Sequence, residues 1–238
     1  MLTRSYGITD RGKVRDSNED ALFIDEAHQV FAVADGLGGL PGGARASSRI
    51  TELLEKTFSQ VDLVQEQVDL RELVLTIHKI VRDESREQFP YTGSGSTLTL
   101  AQIIDDHLII AHVGDSAVYH WRSGTINKIT TDHTMAQELI KRLGEGAHDS
   151  MPPEYPHTLT RCIGQDGELQ VDLIRIQVAP DDRILVCSDG LNKVMNDEQI
   201  CEILGHGSDP QQICDLLLKA TYAKHAPDNV TVIVTFMV

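Results

Sequence analysis

Three apolar runs in this sequence lead into an aspartate: Phe31-Ala32-Val33-Ala34-Asp35-Gly36, Ile110-Ala111-His112-Val113-Gly114-Asp115-Ser116 and Ile184-Leu185-Val186-Cys187-Ser188-Asp189-Gly190. Taken singly, each reads as a strand followed by a turn, since Asp-Gly is a common turn dipeptide. Taken together, and with Asp20 after Asn18-Glu19 and Asp228 before Asn229, they read as carboxylates held at sheet edges. Carboxylates gathered without cations repel and raise one another's pKa. A pair of divalent ions offsets that repulsion, lowers the pKa of bound water and can clamp the attacking and leaving oxygens of a phosphoryl transfer. Hard oxygen ligands suit magnesium or manganese, and the histidines lack the H-E-x-x-H spacing expected for zinc. The chemistry these residues point to is phosphoester hydrolysis.

Such carboxylates need a scaffold of strands. Apolar runs that read as strands are Phe31 to Ala34, Leu98 to Ile104, Leu108 to Val113, Ala117 to Trp121, Val171 to Val178, Ile184 to Cys187 and Val230 to Val238. Spacings of three and four predict helices through Ala46, Ile50, Leu53, Leu54 and Phe58, and through Leu70, Leu73, Val74, Ile77, Ile80 and Val81. Shorter helices are expected at about Thr134 to Leu143, Asp197 to Leu204 and Pro210 to Tyr222. The order lacks the strand-helix alternation of a parallel doubly wound sheet and favours antiparallel sheets covered by helices, an α+β fold. Gly144 to Thr158, with Gly144, Gly146, Pro152, Pro153 and Pro156, is the most loop-like stretch and reads as a candidate mobile flap.

Composition narrows the field. The 238 residues, 41% hydrophobic, suffice for a sizeable core and are read as a single domain, 1–238. A net charge of -15 repels nucleic acid and anionic membranes as partners, whereas a carboxylate surplus is compatible with cations. No window reaches the apolar length of a bilayer span and no leader is visible, so a cytoplasmic location is expected. Cys162, Cys187, Cys201 and Cys214 lie in or beside apolar runs without C-x-x-C spacing and read as buried, reduced thiols.

The ordered set Arg15-Asp16-Ser17-Asn18-Glu19-Asp20, Ala34-Asp35-Gly36-Leu37-Gly38-Gly39, Gly95-Ser96-Thr97, Val113-Gly114-Asp115-Ser116, Ser188-Asp189-Gly190 and Asp228-Asn229-Val230-Thr231 resembles that of bacterial members of the protein phosphatase 2C family. The likeness runs from about Gly7 to Val234. It implies a four-layer αββα sandwich with a dinuclear Mn2+ or Mg2+ site at one end, and hydrolysis of phosphoserine and phosphothreonine in proteins. By motif position, Asp35 would bridge two ions, Asp189 and Asp228 would hold one, and the Gly36 carbonyl would ligate the other. Asp20 would act through ordered water with Glu19 in support, Asn229 would back Asp228, and Asp115 matches a residue associated with a third, weaker ion. Arg15 matches the phosphate-binding arginine, whose planar fork suits phosphate oxygens. Phosphoprotein substrates, a cognate Ser/Thr kinase and a monomeric state complete the expectation.

Two positions depart from the family pattern. Leu40 stands where bacterial relatives often carry a histidine as proton donor, and Ala117 stands where Gly-Asp-Ser is usually followed by an arginine, removing an internal salt-bridge partner. His112 and His133 lie within family motifs and read as structural histidines. Rival readings are weaker. A dinucleotide-binding turn at Gly36-Leu37-Gly38-Gly39 meets Pro41 where its third glycine belongs and sets Asp35 against a pyrophosphate. A catalytically weak phosphoprotein-binding relative would be betrayed by missing metal ligands, and all the expected carboxylates are present.

Overall fold

The computed structural model describes residues 2–38, 42–61, 68–144, 146 and 151–238. Among the described residues, ten strands form two antiparallel sheets of five. One sheet runs β1 (Thr3–Asp10), β10 (Val230–Met237), β9 (Arg183–Cys187), β6 (Ala117–Arg122), β7 (Thr125–Lys128). The other runs β2 (Asp20–Asp25), β3 (Val30–Asp35), β4 (Leu98–Ile104), β5 (His107–Val113), β8 (Asp172–Gln177). Helices α1 (Gly43–Phe58) and α2 (Leu70–Gln88) contribute to the core that covers the second sheet. Helices α5 (Asp197–His206) and α6 (Pro210–Ala223), with the short α4 (Asp189–Asn192), cover the first. A further helix, α3 (Met135–Leu143), precedes the 3-10 turn Tyr155–His157.

The period of two along each strand divides the core into layers. In β10, Val230, Val232, Val234 and Phe236 face the helices, and Ile233 and Met237 face the other sheet. In β3, Val30, Ala32 and Ala34 meet α1 and α2, while Phe31 and Val33 face the opposing sheet. The helix–sheet–sheet–helix sandwich implied by the family resemblance is therefore what the side chains build.

Seven strands and five helices stand where hydrophobic patterning places them, within a few residues at their ends. Strands β1, β2 and β7 are absent from the sequence reading, and all three are sheet edges. With a partner on one side only, they bury fewer side chains: β1 and β7 hold no fully buried residue and β2 holds only Asp20. The thiols also differ from expectation. All four are free, but only Cys187 and Cys214 are buried, Cys162 and Cys201 being half-buried.

Candidate active site

The carboxylates collect at one end of the sandwich because register and pleat send them there. Asp35 continues the face of Phe31 and Val33, which look into the space between the sheets. Asp20 is its direct cross-strand partner, so the two side chains project side by side from the same edge. Asp20 is anchored from the opposing sheet: the hydroxyls of Ser188 and Thr231 both donate to its Oδ2 at 2.7 Å. Its Oδ1 is buried without a hydrogen-bond partner, as is Glu19 Oε2. The Asp35 backbone N–H donates to Thr97 Oγ1 at 3.0 Å, and Ser96 Oγ and the Thr97 N–H donate to its carbonyl.

Gly36 follows at a crowded turn where a Cβ would come within 2.6 Å of backbone atoms of Gly43 and Glu19, so only glycine passes. Its N–H donates to the Glu19 carbonyl, which also accepts from Ser47 Oγ. Asn229 ties the remaining loop down: its side chain donates to the carbonyls of Arg11 and Ser17 and accepts from the Glu19 N–H at 2.8 Å. Asp228, half-exposed on the cleft wall, accepts from the Arg15 guanidinium at 2.8 Å. Asp189 opens α4 immediately after β9, and Asp115 sits in the turn between β5 and β6.

These groups line a cleft of about 940 Å³. Within it, carboxylate oxygens of Asp35, Asp115 and Asp189 lie within 4.8 Å of one another. The electrostatics follow from the crowding. Burial pushes Asp35 well above the usual carboxylate range, and the charges of Asp20, Asp189, Asp115 and Asp228 push the same way. Burial raises Asp20 to about 6 against the hydrogen bonds from Thr231 and Ser188. Burial and then the charge of Asp189 raise Asp115 to about 6 against the pull of Lys193. A site built from hard oxygens, with two orphaned buried carboxylate oxygens and three acids that resist ionising together, fits divalent cations.

The protein phosphatase 2C family model matches residues 11–219, which carry nearly all of this cleft. The chain belongs to the protein phosphatase 2C family. With the family comes the enzyme class: it is a metal-dependent protein-serine/threonine phosphatase. The serine/threonine phosphatase stp of Listeria welshimeri is 28% identical over 232 residues, 94% of this chain and 92% of that one. The structure of PppA, described as a key regulatory component of T6SS in Pseudomonas aeruginosa, superposes with a TM-score of 0.86 at 30% identity over 99% of this chain and 98% of the other. The catalytic domain of the serine threonine protein phosphatase PstP in complex with two manganese ions superposes with a TM-score of 0.83 at 30% identity, again covering 99% and 98%.

As a member of the protein phosphatase 2C family, the chain brings eight of the residues expected to serve metal or phosphate to one place: Arg15, Glu19, Asp35, Gly36, Asp115, Asp189, Asp228 and Asn229 line the cleft. Asp20 does not line it but stands beside Asp35, bonded to Ser188 and Thr231. The grouping differs in one respect, since Asp115, expected at a separate site, belongs to the tight trio with Asp35 and Asp189 while Asp228 is drawn to Arg15. Leu40 lies outside the described residues, as does part of the stretch from Gly144 to Thr158, of which His157 and Thr158, with the following Leu159, line the cleft. His112 accepts or donates at Thr99 Oγ1 and reaches the Thr131 carbonyl, and His133 faces Asp172 and Arg161. Neither lines the cleft.

Lys193 was missed. Its ammonium contacts both Asp115 and Asp189, supplying the cation that Ala117 does not. The available signal was the spacing of four from Asp189, which puts both on one side of a helical turn.

Proposed function

We propose that the whole chain acts as one catalytic domain that removes phosphate from phosphoserine and phosphothreonine with two divalent cations, manganese or magnesium. The observation that carries this reading is the trio of Asp35, Asp115 and Asp189 in a cleft with Arg15 on its wall. Asp35, Asp189, Asp228 and the Gly36 carbonyl would hold the pair, with Asp20 and Asp115 adjoining. When bound, such cations lower the pKa of water and neutralise charge on a phosphoryl group.

The chain's own residues supply binding and orientation. Arg15 already spends one nitrogen on Asp228, and its remaining N–H groups present a planar fork to phosphate oxygens. Ser188 and Thr231 hold Asp20 from the far sheet, so both sheets must be assembled for Asp20 to be fixed beside Asp35. Asn229 and Glu19 fasten the loop that carries Arg15 to the one that carries Asp228.

A phosphoserine substrate implies a kinase that made it, so a cognate Ser/Thr kinase is the opposing activity. Among the described residues no helix is long and apolar enough to cross a membrane, and we place the enzyme in the cytoplasm as a monomer. Hydrolysis of a phosphothreonine peptide tests the reading. Activity is expected with manganese or magnesium, to vanish in excess chelator, and to fall by about 10³-fold or more in Asp35→Asn. Full activity in chelator would overturn it.

A further inference from the structure

We propose that Lys193 is a built-in cation of the metal cleft, its ammonium standing beside Asp115 where a further divalent ion would otherwise bind, so that this enzyme takes two ions and not three. The inference rests on the two-ion reading above and settles what Asp115 does within it.

Lys193 Nζ donates to Asp115 Oδ2 at 3.0 Å and also to Asp189 Oδ2. The contact is not a loose surface pair: the Asp115 side chain is 7% exposed, that of Asp189 15% and that of Lys193 30%. Among the described residues, the cleft is lined by six carboxylates (Asp16, Glu19, Asp35, Asp115, Asp189 and Asp228) and two permanent cations, Arg15 and Lys193. Arg15 is bonded to Asp228 on another wall. Lys193 is therefore the cation that meets the trio.

Backbone geometry holds it there. Lys193 caps the C-terminal end of α4, the helix that Asp189 begins, and its N–H donates to the Asp189 carbonyl at 2.9 Å. The ammonium is thus delivered to the same carboxylate from which its own helix starts. A fixed positive charge between Asp115 and Asp189 repels a second cation at that spot and occupies one oxygen of each acid. Each carboxylate keeps its other oxygen, and the lysine donates to Asp115 and Asp189 rather than to Asp35. The arrangement disfavours an ion at Asp115 while leaving the Asp35 side of the cleft open.

The test is manganese stoichiometry, measured by equilibrium dialysis with elemental analysis and by calorimetry, on wild type, Lys193→Gln, Lys193→Arg, Asp115→Asn and the Lys193→Gln/Asp115→Asn double variant. Wild type, Lys193→Arg and Asp115→Asn should each bind two ions. Lys193→Gln should bind three, with the first two held about tenfold or more tightly than in wild type, and the double variant should return to two. Circular dichroism confirms that each variant is folded. If Lys193→Gln does not fold, Asp115→Asn decides alone, since loss of one ion from it means that Asp115 holds metal in the native enzyme and overturns the proposal. Three ions in wild type, or an unchanged two in folded Lys193→Gln, overturns it as well while leaving the phosphatase reading intact. A wild type that binds no manganese sinks both.

Discussion

Arg15 and Asp228 form an ion pair on the cleft wall, yet Arg15 stays nearly half exposed. A phosphate entering the cleft meets the unused face of the guanidinium, so Arg15→Ala should act on binding. A hydrogen bond to a charged group is worth about 1.5–3 kcal/mol. The Michaelis constant for a phosphopeptide should therefore rise about 10- to 100-fold with a smaller change in turnover, in steady-state kinetics at saturating manganese. Thr231→Val tests the support beneath Asp20. It removes one of two donors to Oδ2 and leaves the buried Oδ1 as it was. Manganese affinity should fall about 10- to 100-fold by calorimetry, with the strand itself intact because valine suits β10. The acids of the site were legible one by one, because each stands within two residues of a glycine or asparagine in its motif. Their hydroxyl supports were only half legible. Ser188 and Thr231 lie in motifs, but their convergence on Asp20 across 168 and 211 residues of chain is a property of two sheets meeting.

The short helix α4 is where element and site are hardest to separate. Gly190 lies against the Asn229 carbonyl, so a Cβ there would overlap the backbone that precedes β10. Gly190→Ala should push α4 away from the 228–229 loop, carrying Asp189 away from Asp228. Overpacking of this kind costs about 1–3 kcal/mol. Denaturant unfolding should register that loss, and manganese affinity should drop in the same variant. Periodicity found the long helices α1 and α2 and the buried strands because each repeats its apolar positions over several turns or pleats. A four-residue helix such as α4 has no period to detect, and the edge strands β1, β2 and β7 have too few buried side chains to show one. Lys193 escaped notice for that reason, since its pairing with Asp189 shows only once the two are placed on one helical turn.

At the scale of the molecule, the cleft concentrates like charge that the fold must hold together. In the metal-free protein Asp20 and Asp115 both titrate near 6, above the ordinary carboxylate value of about 3.9. Between about pH 4 and 6 the folded chain therefore binds more protons than the unfolded one, and its stability falls as pH rises through that window. Divalent cations remove the need for those protons, so the stabilisation by manganese should be larger at about pH 7.5 than at about pH 5. From pH 5 up to the folded value near 6 about one unit is at stake on each acid, about 1.4 kcal/mol apiece and about 3 kcal/mol for the pair, which for a chain of this size is a difference in melting temperature of about 6–12 °C. Scanning calorimetry with and without chelator at both pH values measures it, and equal shifts would show that the acids are not uncompensated. The order of strands carries a different kind of consequence. Strand β10 lies between β1 and β9, pairing with both, although it is the last of the ten to be synthesised. The sheet made of β2, β3, β4, β5 and β8 has all its strands by Gln177, and can begin to assemble while the ribosome is still translating. The other sheet must keep a slot open until Val230–Met237 emerges. Asp228 and Thr231 arrive with that strand, so a nascent chain cannot dephosphorylate anything until its final strand has left the exit tunnel and slid into place.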